Sequence, residues 1–453
     1  MPHMSHRFTP TWVLGALLTT LLCASCASTG DVRRGRLANL SASLRQSTDP
    51  SSGVGASKAG YEDIPQFGGA RSVASELEED HKQKESKFRF DGMQRALAPY
   101  YAWTTRMSEQ YGLVLGADYT GIYYGASEDL GSEDEAGSGD LRIFGSWTVA
   151  GRDSGDTGSI VFKVEHRHAY GHGAVSDLGI ATGYVGLLGP PFNGSGEMLT
   201  NLYWLQKFND SRTSIVAGLV DSTDYLDVYG LINPWTHFNN LVFTTGSGTM
   251  PAPNQGIGAA VGTFVGDHVY LLGGVADTNG DPTEPGDTLE TAFDDAEYFT
   301  HFEVGYTSSF DERYTNNTHL TLWHAAEREK AGVASGWGAN FSWAQFYGGQ
   351  VMPFFRMGYS DDGGALLDRS VSAGVGYYQP GTSDLIGFGL NWGRPSQDFG
   401  PDPRDQFTSE LFYRVQLSQN FALTPTLQFI SDPALNPTEE DMWYVGVRAR
   451  VAL

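Results

Sequence analysis

Cysteine is nearly missing from this chain: only Cys23 and Cys26 occur, both within the first thirty residues. If that stretch is removed upstream of Ser28, no thiol remains, which excludes a disulfide framework and a cysteine-ligated metal site. Positive charge is scarce as well. Lys and Arg number 29 against 53 Asp and Glu, a formal net charge of −24, so the basic footprint that a nucleic-acid ligand requires is not there. Beyond the first thirty residues no run approaches the roughly 18 to 20 consecutive apolar residues of a membrane-spanning helix. Catalytic signatures are also lacking: there is no Gly-x-Ser-x-Gly elbow, no His-Glu-x-x-His zinc helix and no phosphate loop ending in Gly-Lys-Ser/Thr. With no ordered Ser, His and acid motif either, no enzymatic activity and no cofactor are expected.

What the chain has in quantity is glycine, 57 residues, and aromatics, 13%, while charged residues make up only 18%. That balance suits strands and turns rather than helices. The opening stretch has the three parts of an export signal. Arg7 lies in a short polar start, Trp12 to Leu22 form an apolar core, and Ser25-Cys26-Ala27 supply small residues at the cleavage positions. Residues 1–27 therefore read as a secretory signal peptide. The rival reading lipidates Cys26, although Cys23 stands where such signals usually carry Leu. Residues 28–70, rich in Ser, Gly and Ala with a basic cluster Arg33-Arg34-Gly35-Arg36, read as a flexible linker. Residues 71–98 hold good helix formers (Glu76, Leu77, Glu78, Glu79, Lys82, Lys84) and then Phe90, Met93 and Leu97 at helical spacing. They predict one amphipathic helix, serving as a spacer or as a plug or contact element.

From about residue 110 the period changes to two. Leu113, Leu115, Ala117 and Tyr119 share one face, opposite Gly116, Asp118 and Thr120; Ile160, Phe162 and Val164 oppose Lys163 and Glu165. Near the C-terminus Leu411, Tyr413, Val415 and Leu417 oppose Glu410, Arg414 and Gln416, and Leu423, Leu427 and Phe429 oppose Thr424, Thr426 and Gln428. Trp443, Val445, Val447 and Val451 oppose Arg448 and Arg450. A soluble sandwich also alternates, so number and length decide. About sixteen segments of roughly ten residues begin near 112, 139, 157, 198, 212, 256, 267, 299, 315, 334, 349, 367, 382, 406, 420 and 442. Long breaks fall near 171–197, 221–255 and 277–298. The expected fold is thus all-β, a transmembrane antiparallel barrel over 110–453 with a helical and flexible N-terminal extension. Aromatics near segment ends (Tyr100, Tyr101, Trp103, Tyr123, Tyr124, Tyr377, Tyr378, Trp392, Trp443) fit girdles at the two bilayer interfaces.

Three local patterns bear on binding chemistry. Gly256-Ile-Gly258-Ala-Ala-Val-Gly262 is one residue too long for a dinucleotide turn and lies in a strand-like stretch. His166 and His168 share a strand face and read as an interfacial pair, since no third metal ligand lies nearby. Asp277, Asn279 and Asp281 alternate as a calcium loop begins, but Pro282 follows and Thr288 occupies the twelfth position, which makes them a weak calcium candidate and otherwise a solvated loop. What remains is the polar face of the strands. In a closed barrel Lys163, Glu165, Arg167, Arg356, Glu410, Arg414 and Arg448 point into the lumen, to touch solute or to brace the wall by ion pairs. Within the break 221–255, the segment from Tyr225 to Asn254 adds Trp235 and His237 as an inward-folding constriction loop. Guanidinium and carboxylate groups can bond sugar hydroxyl pairs while aromatic faces stack on a sugar's apolar side.

The chain resembles the carbohydrate-selective porin family of the OprB type. The resemblance rests on Tyr225-Leu226-Asp227-Val228-Tyr229-Gly230-Leu231-Ile232-Asn233-Pro234-Trp235, Phe238-Asn239 with Phe243, Pro253-Asn254-Gln255-Gly256 and Ala276-Asp277-Thr278-Asn279-Gly280-Asp281. It continues in Glu410-Leu411-Phe412-Tyr413-Arg414, Pro425-x-Leu427-Gln428 and Asp432-Pro433. It implies a sixteen-stranded barrel for sugar-preferring passive diffusion across an outer membrane, without catalysis. Carbohydrates and outer-membrane lipids are the expected partners, and a homotrimer is left open. The chain departs from barrels of this kind by ending Val451-Ala452-Leu453 rather than in an aromatic. The alternative is a plugged barrel serving as a structural or anchoring envelope protein.

Overall fold

The structure is a computed structural model and describes residues 69–130, 133–152, 156–171 and 173–453. The signal peptide expected at 1–27, and residues 28–68 of the expected linker, lie outside the described residues. Sixteen antiparallel strands follow one another around a closed barrel, each bonded to its neighbours in sequence, with β1 (Leu113–Ala126) closing on β16 (Asp441–Ala452). Closure leaves no edge, so every strand finds both its hydrogen-bonding partners within the sheet. Each strand starts within about four residues of its expected position. The largest departure is β2 (Glu135–Ala150), whose first residues Glu135-Ala136-Gly137 lack apolar alternation and are drafted by pairing with Tyr123 to Gly125 of β1.

Period-two alternation sorts the faces. Exposed apolar side chains (Ile143, Leu390, Val445) form the outer surface, and the opposite faces carry buried Asp118, Arg142, Glu165, Arg356, Gln428 and Arg448. Adjacent aromatics are split the same way. Tyr123 and Trp443 are exposed outside, whereas Tyr124 is fully buried in the lumen and its hydroxyl accepts from Gln428. Tyr124 is therefore not part of a girdle, because the residue after an outward one in a strand must point inward.

Connections alternate in length. Turns 209–212, 266–268 and 417–420 lie at the end that holds the start of β1 and the end of β16; loops 170–195, 221–255 and 278–297 lie at the other. The first loop contains α3 (Val175–Thr182). Loop 221–255 lies inside the barrel. Its Val228, Tyr229, Ile232, Phe238 and Phe243 form a core with Met352, Phe354, Leu385 and Phe412 of the wall, so part of the lumen is apolar where a wet polar lining was expected.

The single helix expected over 71–98 is two. In α1 (Val73–His81) the Ser72 side chain caps the start by accepting from the Ser75 N–H at 3.3 Å. Lys82 is extended, and the chain beyond pairs with turns instead of coiling: Lys87 N–H donates to Gln416 O, Phe88 N–H to Leu417 O, and Glu85 N–H to Ser383 Oγ. These tertiary bonds outcompete local helix propensity. Phe90 falls between the helices, and Met93 and Leu97 lie in α2 (Asp91–Arg106). Residues 89–103 belong to a compact unit separate from 69–88 and 104–453; within it the Tyr100 ring lies 5.6 Å from Tyr101 and 6.2 Å from Trp103.

Candidate functional site

The barrel narrows where loop 221–255 crosses it, and charged wall residues hold the loop by its backbone. Glu410 accepts the Asn239 and Asn240 N–H groups, each at 2.8 Å, on its two carboxylate oxygens. Arg448 donates to Pro234 O (2.6 Å) and His237 O (2.9 Å). Arg356 donates to Thr244 O (2.6 Å) and pairs with the carboxylate of Asp227, which also binds His319 Nε2 at 2.9 Å. Such charge-assisted bonds satisfy the backbone groups that an irregular loop would otherwise bury unpaired.

At the loop's tip the Trp235 ring lies 4.0 Å from the Arg142 guanidinium, and its Nε1–H donates to Asp140 at 2.8 Å. Arg142 also binds both oxygens of Asp118, which is directly opposite in the β1–β2 register, and donates to Glu76 of α1 at 2.6 Å. Arg450 shares Asp118 and forks onto Asp80 of α1, 2.7 Å to each oxygen. Thus α1 lies in the lumen beside the loop tip. Gly116 makes room for it: a Cβ there would stand 3.0 Å from Leu77 Cδ2 and 2.7 Å from Phe144. Gly69 likewise approaches the Asp224 carbonyl, with 2.3 Å to a Cβ in its place.

Burial and pairing pull the carboxylates apart. Burial raises the Asp80 carboxyl, but the Arg450 and Lys84 charges outweigh it and hold it down to about 2. Glu76 is raised by burial despite Arg142. In the loop, burial pushes Asp224 up to about 7, while Arg71 and Lys163 outweigh burial at Asp221 and hold it down to about 2. Burial, then the Arg414 and Arg448 charges, lower His237 well below the usual histidine range, so its imidazole is neutral at pH 7.

The residues expected from sequence to meet solute fall into distinct places. Arg167 pairs with Glu165; Lys163 lies 3.7 Å from Glu165 and 3.9 Å from Asp224; Arg356, Glu410 and Arg448 hold the loop. Trp235 is buried, and His237 Nδ1 bonds Thr236 Oγ1 at 2.9 Å while its ring borders a cavity of about 40 Å³. Arg414 differs. It is 92% buried, its Nε has no partner, it forms no ion pair among the described residues, and it borders that cavity and a second one of about 20 Å³. Both cavities are also lined by Glu79 of α1, and each holds only a water or a few. Toward the long loops a vestibule of about 420 Å³ opens, bordered by Arg71, Arg167, Asp221, Gln255 and prolines 190, 191, 251 and 253.

Asp277, Asn279 and Asp281 do not converge on one point. Asp277 accepts from Asn279 N–H and Thr291 Oγ1, Asn279 donates to Glu297, and Asp281 accepts from Thr283, so their oxygens close local turns. His166 and His168 stack at 5.2 Å as the expected pair, with His168 Nε2 3.2 Å from Tyr119 Oη. Sequence reasoning set Asp118 on a polar strand face without assigning it to the site, and missed Arg142, Asp140 and Asp227 as anchors of the constriction. All but Asp227 alternate with apolar strand residues, so period two could have flagged them; their partners depend on register and on how the loop folds in.

Residues 301–453 match the family model of the carbohydrate-selective porin, OprB family, which bears out the resemblance over that span. No curated protein matches the chain. Among solved structures, the high-pH structure of Pseudomonas putida OprB is 13% identical with a TM-score of 0.63, covering 78% of this chain and 97% of that one. Its low-pH structure is 10% identical (TM-score 0.48; 82% and 100% covered), and a mutant of Rh. blastica porin 12% identical (TM-score 0.49; 75% and 100% covered). At 13% identity the first similarity is one of fold alone.

Proposed function

We propose that this protein is an outer-membrane porin through which carbohydrates and other small polar solutes diffuse without an energy source, after residues 1–27 are removed on export. The observation that carries this reading is the closed barrel itself, apolar outside, charged inside and narrowed by loop 221–255. An apolar outer band suits lipid, and a narrow polar lumen selects by size and hydrogen bonding. The family match over residues 301–453 supports carbohydrates as the solute class. Arg414 is the residue we assign to solute, because its guanidinium borders the lumen cavities with donors not committed to a carboxylate. The reading is of a channel, with the short turns on the periplasmic side and no catalytic step.

The test is single-channel conductance of the refolded protein in a planar bilayer, titrated with glucose and maltodextrins against an amino-acid control. Conductance reduced by the sugars alone supports the reading, and a folded barrel that never conducts refutes it. One observation favours a second reading: α1 lies in the lumen, bonded to Arg142 and Arg450. A permanently filled barrel would serve as an anchoring platform for the envelope, and would stay closed under every condition.

A further inference from the structure

The two segments that fill the lumen are held differently. Loop 221–255 is tied through its backbone to Glu410, Arg448 and Arg356 and brings a large apolar core with it. Helix α1 itself is tied through side-chain ion pairs, Glu76 with Arg142 (2.6 Å) and Asp80 with Arg450 (2.7 Å), while the residues leading into it are held to the loop by Arg71 with Asp221 (3.2 Å) and Asp224 (3.6 Å), by Gly69 N–H to Asp224 O (3.0 Å) and by Asn233 Nδ2 to Ala70 O (2.9 Å). Only Val73 and Leu77 carry its apolar contact with the lumen cluster.

The wall is also built to do without it. Arg142 and Arg450 both bind the carboxylate of Asp118, from β2 and β16 on either side of β1, so neither guanidinium is orphaned when Glu76 and Asp80 depart. A buried charge left with a partner costs far less than one left alone. The chain then leaves the lumen along the short-turn end, clasped there by Gln419 to Lys82 O and Lys84 N, by Ser383 to Glu85, and by Lys87 to Asp384. That clasp would keep a released helix tethered.

We infer that α1 is a displaceable plug: its acidic face, Glu76, Glu79 and Asp80, occupies the eyelet formed by Arg142, Arg414 and Arg450, and the barrel conducts when that face lets go. The inference rests on the porin reading and adds a closed state to it. While α1 is seated, the cavities beside Arg414 are about 40 and 20 Å³, room for water and for no sugar. Because Arg142 and Arg450 keep Asp118 as a partner whether or not the helix is seated, the wall tolerates both positions of one element, as a two-state device requires.

The experiment places a specific protease site after Phe88, assembles the full chain in a bilayer, and compares conductance before and after cleavage, with mass spectrometry confirming release of the segment through Phe88. We expect brief, low-conductance openings before and a rise of at least fivefold after. A synthetic peptide of residues 69–88 returned to the cleaved barrel should block it, and a peptide carrying E76Q and D80N should need at least tenfold more. Because cleavage follows assembly, folding does not confound the result; uncleaved full-length E76Q/D80N provides a second variant, with open probability raised severalfold. Equal, steady conductance before and after release overturns the plug while leaving the porin reading standing. A cleaved barrel that keeps its β circular dichroism, has lost the segment and still does not conduct overturns both.

Discussion

Replacing Glu410 by Ala should free the constriction loop without opening the barrel. The side chain makes no strand hydrogen bond; its two oxygens accept the Asn239 and Asn240 N–H groups at 2.8 Å, inside a fully buried site. Hydrogen bonds to a charged group contribute about 1.5–3 kcal/mol each. Relief of the buried carboxylate offsets part of the pair, which leaves a net loss of about 2–4 kcal/mol of loop anchoring. At 1.4 kcal/mol per tenfold, the local opening equilibrium shifts by roughly 30- to 700-fold. Hydrogen exchange at the two amides reads it directly. E410A should lose protection there by that factor, and E410Q by less, because its amide keeps one acceptor oxygen. Strand amides of β14 (Gln406–Gln416) should stay as protected as in the wild type. Unchanged protection at Asn239 and Asn240 in E410A would refute the anchoring role, and loss throughout β14 would show that Glu410 supports the wall instead.

Three further outcomes follow from the same geometry. Arg142→Met removes the shared partner of Asp118 and Glu76, and breaking such a buried pair should cost about 3–5 kcal/mol in urea unfolding, with Arg142→Lys recovering part. Arg414→Ala, which breaks no ion pair but truncates a buried side chain, should cost about 0.5–3 kcal/mol and leave the barrel folded, yet weaken sugar block severalfold; wild-type block in a folded R414A would remove it from the solute path. Asp224, pushed up to about 7 by burial, binds a proton more readily folded than unfolded, where its pKa is ordinary. Its ionised form therefore penalises folding above pH 7, and stability is regained as pH falls from about 7 towards 4. Asp224→Asn should be about 1–4 kcal/mol more stable than the wild type at pH 8, the difference vanishing near pH 4; urea midpoints that keep the same gap at both pH values would contradict this.

How much of this was legible in advance depends on the range of the interaction. Period-two alternation is local, so the number of strands, their starts to within about four residues and the inward set of Lys163, Glu165, Arg167, Arg356, Glu410, Arg414 and Arg448 could be read from neighbours in the chain. The long break 221–255 was readable as a constriction because its polar turn residues surround Trp235 and His237.

Other features needed closure. That Asp118 serves both Arg142 and Arg450 requires β1 to meet β16, residues more than three hundred positions apart. That Tyr229, Phe238 and Phe243 build an apolar core within a charged lumen requires the loop to fold against Phe354 and Phe412. The 71–98 segment shows the limit most plainly: its composition favours one helix, yet backbone donors at Lys87 and Phe88 find carbonyls of the β14–β15 turn and the helix stops at His81. Sequence determined which face each strand residue shows, because alternation is a property of the extended backbone. Tertiary structure alone decided which inward charges brace, which hold the loop, and that Arg414 is left over, because ion pairing depends on what closure brings within about 4 Å.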